Sequence, residues 1–188
     1  MGKRKTLNLE MQLNRNIPAE LSPREIEGLR QMNRFRVVAV GGTFDELHKG
    51  HKTLLMTAFE HGENVLIGLC TDEFAKKLRK NHEIATYEDR AKELAKFLND
   101  LGVSNRAKII PLSDPYGPAA TSPDIEAIVV SRETEHRARE LNSLRLRNGL
   151  KPLEVIVIDM VPAEDQIPIS TTRIRWGEID REGKLLKK

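Results

Sequence analysis

The sequence predicts an α/β fold: a doubly wound, Rossmann-like, five-stranded parallel sheet with helices on both faces. Three observations predict it. Short runs rich in Val and Ile recur along the chain, each apolar throughout, as in strands buried on both faces. Segments with apolar residues at helical spacing stand between them. The resulting βαβα order asks for parallel strands joined by crossovers, with ligands at the carboxyl ends of the strands.

The elements follow in order. Residues 1 to about 21 show no period and read as an extended arm. Ser22-Pro23-Arg24-Glu25 is a capping-box start, with Ile26, Leu29 and Met32 at helical spacing behind it, so an accessory helix is expected there. The first strand is Phe35–Val40, followed by a helix over His51–His61 carrying Leu54, Leu55, Ala58 and Phe59. Val65–Leu69 is the second strand and ends at Cys70, which reads as buried. A helix over Thr86–Leu101 opens on Thr86-Tyr87-Glu88-Asp89 and stops at Gly102. In it, Tyr87 reads as part of the cap and Arg90 as a surface charge. Ala107–Pro111, Ile125–Val130 and Val155–Ile158 are the remaining strands, and a helix over Glu133–Asn148 stops at Gly149. The last helix is expected over Ser170–Ile179, with Trp176 packing it onto the sheet and the charged residues Arg181–Lys188 fraying. The chain thus divides into an arm and helix over 1–33, a main domain over 34–180 and a tail over 181–188.

Composition narrows the function. Hydrophobic residues make up 39% of 188, enough for one core, and the net charge of +3 suits an anionic small molecule. Only 4% of residues are aromatic, which speaks against base-stacking platforms, so no nucleic-acid partner is expected. One Cys cannot form an internal disulfide, and no run approaches the roughly 18 apolar residues of a membrane span. No secretory leader is visible, so a cytoplasmic location with no membrane partner is expected.

Two stretches carry chemistry. In Gly41-Gly42-Thr43-Phe44-Asp45-Glu46-Leu47-His48-Lys49-Gly50-His51, a strand ends in a Gly pair and a loop places two imidazoles at a helix start. The first N–H groups of a helix lack internal partners and face the positive end of its dipole, so anions bind there. The dinucleotide fingerprint and the P-loop Lys are both missing. A lone His reads more readily as a satisfied surface or core residue, and His48 with His51 and Asp45 also allows a zinc site. The second stretch, Ile169-Ser170-Thr171-Thr172-Arg173-Ile174-Arg175, puts hydroxyls and arginines at another helix start, either a phosphate cradle or an ordinary N-cap with solvated arginines. It follows the last strand and so opens on the same sheet edge as the His loop.

Gly42-Thr43-Phe44-Asp45 with His48-Lys49-Gly50-His51 resembles the T/H-x-G-H motif of the nucleotidyltransferase superfamily, and Ile169–Arg175 resembles its I-S-S-T-x-x-R motif, with Thr171 where Ser is usual. Between them, Asp114–Ala119, Val129–Thr134 and Asn148–Leu153 resemble the archaeal phosphopantetheine adenylyltransferases and the equivalent domain of eukaryotic CoA synthase. The resemblance covers about Phe35 to Ile179. It implies transfer of the adenylyl group of ATP to 4′-phosphopantetheine, with Mg²⁺ carried mainly by the triphosphate and assisted at most by Asp45 and Asp72. By the same resemblance, His51 meets the α-phosphate, His48 the triphosphate and Thr43 the reacting phosphates, while Gly41, Gly42 and Phe44 shape the nucleotide site. Ser170, Thr171 and Thr172 would hold the β- and γ-phosphates through backbone N–H groups, and Arg175 would neutralise pyrophosphate, with Arg173 at a variable position. Lys77, or its neighbour Lys76, in the basic segment Thr71–Lys80 would bind the acceptor, and Arg132 nucleotide or acceptor phosphate. A phosphate nucleophile is already ionised near neutral pH, so donors and cations suffice without an acid–base dyad. Transfer to FMN, cytidylyl transfer to a small phosphorylated alcohol such as glycerol phosphate, and a non-catalytic nucleotide-binding or RNA-binding regulator are the alternatives. The sequence leaves the oligomeric state open.

Overall fold

The computed structural model describes residues 34–78 and 83–186. The N-terminal arm, the Ser22 helix, Arg79 and Lys80 lie outside the described residues. The described elements are β1 (Phe35–Gly42), α1 (Lys49–His61), β2 (Gly62–Cys70), α2 (Asp72–Lys77), α3 (Tyr87–Asp100), β3 (Ala107–Leu112), β4 (Ala127–Ser131), α4 (Glu135–Arg147), β5 (Glu154–Ile158) and α5 (Thr171–Arg175). The five strands pair in the order β3-β2-β1-β4-β5, all parallel. The register sets Val38 of β1 between Val65 of β2 and Ala127 of β4.

Successive side chains of a strand point to opposite faces, so β1 serves two cores. Val38 and Val40 pack with Leu55, Ala58 and Phe59 of α1 and Leu94 and Leu98 of α3. Val37 and Ala39 pack on the other face with Leu141 and Leu144 of α4 and with Ala119 and Ala120. Both faces are covered, which is why the strands read as unbroken apolar runs. The connection from β3 to β4 contains a short 3₁₀ turn, Gly117–Ala120, where the other crossovers contain α-helices.

Four expectations are corrected. α1 begins at Lys49, two residues ahead of the expected start, because His48 caps it. α5 ends at Arg175 instead of reaching Ile179. Gly177, at φ 71°, closes a Schellman turn in which Gly177 N–H donates to Ile174 O and Glu178 N–H to Arg173 O. Trp176, at the end of this short helix, is 59% exposed instead of packed on the sheet, while Ile179 beyond the turn is buried beside Ala163 and Ile169. The charged tail is docked over its described residues, 181–186. Ile179 bridges Leu185, Asp180 N–H donates to Lys184 O, and Leu186 N–H donates to Glu178 O.

Candidate active site

In the order β3-β2-β1-β4-β5 the chain winds outward from β1 in one direction and from β4 in the other. Loops leaving the carboxyl ends of these two strands diverge and open a crevice. A cleft of about 580 Å³ lies there. Gly41 and Gly42 from β1 with Thr43 just beyond it, Val129–Ser131 from β4, His48 and His51 at α1, and Ser170–Thr172 at α5 line it. The two stretches singled out in the sequence therefore meet across one cavity.

His48 is the N-cap of α1. Its Nδ1 accepts the N–H of Gly50 at 3.1 Å and of His51 at 3.4 Å. A ring nitrogen that accepts carries no proton, so this capping arrangement leaves the hydrogen on Nε2 as the donor. The rings of His48 and His51 stack with centroids 3.7 Å apart at 22°. Gly50 suits this packing, since a Cβ there would sit 3.1 Å from the His48 ring and the ring would have to give by a few tenths of an ångström. Phe44, expected among the nucleotide contacts, is wholly buried and meets His51 edge-on at 5.4 Å, so it props the imidazole from the core side.

The loop ahead of α1 is held from several directions. Asp45 is 0% exposed, and its Oδ1 accepts the Ala85 N–H at 3.1 Å and Arg175 Nη2 at 2.9 Å. Its backbone oxygen accepts the Thr171 hydroxyl at 2.9 Å. Thr171 Oγ1 thus joins the two stretches, and Ser170 Oγ caps α5 by accepting the Arg173 N–H. Both hydroxyls are committed to structure. Arg175, expected beside pyrophosphate, is ion-paired with Asp45 and, through Nε at 3.0 Å, with Glu46. The Asp45 hydrogen bond raises its pKa further above the ordinary arginine value. Arg173 pairs with Asp165 and Glu178.

Other expected contacts stand outside the cleft wall. Arg132 forms an ion pair with Asp159 at 2.7 Å on the cleft rim, where both side chains are largely exposed. Lys76 and Lys77 are exposed in the last turn of α2. The buried face of that helix contributes Phe74 to the cleft, with Cys70, Leu78 and Leu112 beside it, an apolar wall that sequence reasoning missed. Among the described residues, no group of three or more His, Cys, Asp or Glu side chains is placed to hold a metal ion.

Arg90 was also missed. It is 1% exposed and not a surface charge. Nη1 donates to Thr43 O and Cys70 O, both at 2.8 Å; Nε donates to Ala85 O at 2.8 Å; Nη2 pairs with Asp72 at 2.7 Å. One guanidinium therefore spaces the carboxyl ends of β1 and β2. Partial burial works against the Asp72 charge, but the Arg90 hydrogen bond and nearby positive charge hold its pKa below the usual carboxylate value. The signal was present in the sequence: Arg90, Leu94 and Leu98 fall four apart on the buried stripe of α3.

The cytidylyltransferase-like family profile matches residues 39–177. The phosphopantetheine adenylyltransferase of Methanothermobacter thermautotrophicus is 49% identical over 155 residues, covering 82% of this chain and 92% of that protein. The phosphopantetheine adenylyltransferase of Methanopyrus kandleri is 44% identical over 147 residues, covering 78% and 92%. Among solved structures, a protein of unknown function from Archaeoglobus fulgidus has TM-score 0.59 at 30% identity, over 65% of this chain and 88% of that one. A bifunctional NMN adenylyltransferase/ADP ribose pyrophosphatase from Francisella tularensis shares the fold, with TM-score 0.51 at 15% identity over 76% of this chain and 41% of that one.

Proposed function

The chain belongs to the cytidylyltransferase-like family, among the archaeal phosphopantetheine adenylyltransferases, and from that premise we propose that it transfers the adenylyl group of ATP to 4′-phosphopantetheine. A phosphate oxygen of the acceptor forms a bond to the α-phosphorus of ATP. The bond from that phosphorus to the bridging oxygen breaks, and pyrophosphate leaves with the electron pair. The products are dephospho-CoA and pyrophosphate. The observation that carries this reading is the convergence of the His48–His51 helix start with Ser170–Thr172 at the switch point of the sheet.

His51 is assigned to the α-phosphate, where charge develops, and His48 to the triphosphate through Nε2–H. Thr43 lies between the reactants, the Gly41-Gly42 backbone leaves room for the nucleotide, and Ser170–Thr172 face the β- and γ-phosphates with backbone N–H groups. Arg175 acts through Asp45 and Glu46 by fixing the loop. The apolar wall of Phe74, Leu78 and Leu112 suits the pantetheine arm, while Lys77 and Arg132 at the periphery attract phosphate. Mg²⁺ carried by the triphosphate would screen its charge, while the donors that line the cleft, His48, His51 and the Ser170–Thr172 backbone, would meet the phosphate oxygens. We assign the reaction to the cytoplasm, in keeping with the single cysteine of the chain, Cys70. No helix among the described residues is long and apolar enough to cross a membrane.

Incubation with ATP, Mg²⁺ and 4′-phosphopantetheine should release pyrophosphate and dephospho-CoA in equal amounts. Turnover with FMN or glycerol phosphate but none with phosphopantetheine would refute the acceptor assignment.

A further inference from the structure

We propose that the C-terminal segment 178–186 is a working part of the catalytic site, a clamp that sets the loop ahead of α1, with Arg181 as its positioning residue. The proposal builds on the assignment of His51 to the α-phosphate.

The loop needs an external hold. Phe44 and Glu46 both sit at φ 49°, in the left-handed region that L side chains rarely adopt. Such residues persist where the surroundings over-determine them. Two residues beyond Glu46, His48 begins the cap that orients both imidazoles. A shift at Glu46 is therefore passed on directly to the ring nitrogens.

Arg181 grips this stretch at two points. Its guanidinium pairs with Glu46 Oε2, with Nη2 at 2.6 Å and Nε at 2.8 Å, and reaches Glu93 on α3 through Nη1. Its backbone oxygen accepts the N–H of Lys49, the first residue of α1, at 2.9 Å. Next to it, Glu182 takes Lys52 of α1 at 2.6 Å. Glu46 gives its other oxygen to Arg175, so its carboxylate lies between α5 and the tail.

The grip is itself anchored. Asp180 Oδ1 accepts the N–H groups of Glu182 and Lys184, Glu164 N–H donates to Gly183 O, and Glu164 Oε2 accepts the Leu185 N–H. Gly183 sits at φ 86°, and a Cβ there would come within 2.6 Å of Ile169 Cδ1. Ile169 immediately precedes the Ser170 cap. One turn of chain thus rests on the residue before one half of the site and holds the loop of the other half.

The test uses the full-length chain with Arg181→Ala, Arg181→Lys and Gly183→Val. In Arg181→Ala, amide exchange over residues 44–51 should rise by about tenfold as local opening becomes easier. Its kcat should fall by about tenfold with the KM for phosphopantetheine within about twofold, because the acceptor is held elsewhere while the imidazoles act in the transition state. Arg181→Lys should recover part of both changes. Gly183→Val, which displaces the turn without touching Glu46, should give the same pair of changes if folded. Unchanged exchange over 44–51 in Arg181→Ala overturns the clamp, and raised exchange with unchanged kcat overturns its part in catalysis. A wild-type chain that makes no dephospho-CoA overturns the functional assignment instead, and the exchange measurement still decides the clamp.

Discussion

Arg90 and Arg145 are the largest wholly buried side chains among the described residues, and they solve the same problem in different places. Each carries a charge out of water, which is tolerable only when every donor finds an acceptor. Arg145 does this with backbone oxygens: Lys151 at 2.8 Å, Ala119 at 2.6 Å, Ser122 at 2.9 Å and Ile125 at 3.4 Å. With no carboxylate beside it, burial pushes its pKa down. Those oxygens belong to the β3–β4 connection and to the turn after α4, so Arg145 ties together a crossover in which a 3₁₀ turn stands where an α-helix is usual. Arg90 adds the Asp72 carboxylate to three carbonyls, and two of those carbonyls end the strands that open onto the cleft. One arginine holds the fold closed, and the other sets the spacing of the site.

Substitutions should separate the two roles. Arg90→Met should have the largest effect on stability. It should cost about 3–5 kcal/mol in denaturant melts, chiefly because three carbonyls lose their donor, with a smaller share from the half-exposed Asp72 carboxylate. Turnover of the folded fraction should fall by on the order of 10², because a loop misplaced by an ångström disrupts in-line geometry. Arg145→Met should lose a comparable roughly 2–4 kcal/mol while the folded protein keeps its kcat within about twofold. If Arg145→Met slowed turnover as much as Arg90→Met, the distinction would collapse.

His51→Ala sharpens the comparison from the other side. It should cut kcat by on the order of 10²–10³ with little change in the melt, since its contact is made in the transition state. His48→Ala should lower both quantities modestly, with about 1 kcal/mol lost from the helix cap.

The smallest effect concerns pH. The folded pKa of Asp72 is depressed, so its pairing adds stability that is fully present above the unfolded carboxylate pKa and is lost as pH falls through the folded value. Its side chain is 43% exposed, so solvent screening holds the contribution below about 1 kcal/mol. Denaturant melts at pH 7 and pH 3 should therefore differ less in Asp72→Asn than in the wild type. Arg145, lacking a carboxylate partner, should add no such acid-sensitive increment.

Much of this was legible in the sequence. The strand runs, the Thr86 cap and the order of the two phosphate stretches are local signals, and each lies where it was read. Arg90 was missed although it shares a stripe with Leu94 and Leu98, because a charge on an apolar stripe is easily taken for its edge. Trp176 was misplaced because helical spacing continues to Ile179, while the turn at Gly177 cuts the helix short. The tail read as fraying because its charges have no partner nearby in sequence: Arg181 finds Glu46 135 residues away and Glu93 88 residues away.

The sequence by itself determined the order of elements, the parallel sheet and the two helix starts that face each other across the cleft. Periodicity, caps and turn residues act over a few neighbours, and a few neighbours suffice to specify them. Only the tertiary structure decided which charges act at the cleft and which act behind it. Arg175 is ion-paired with the loop, Arg90 lies beneath it and Arg181 grips it, because ion pairing follows distance in space and not separation along the chain.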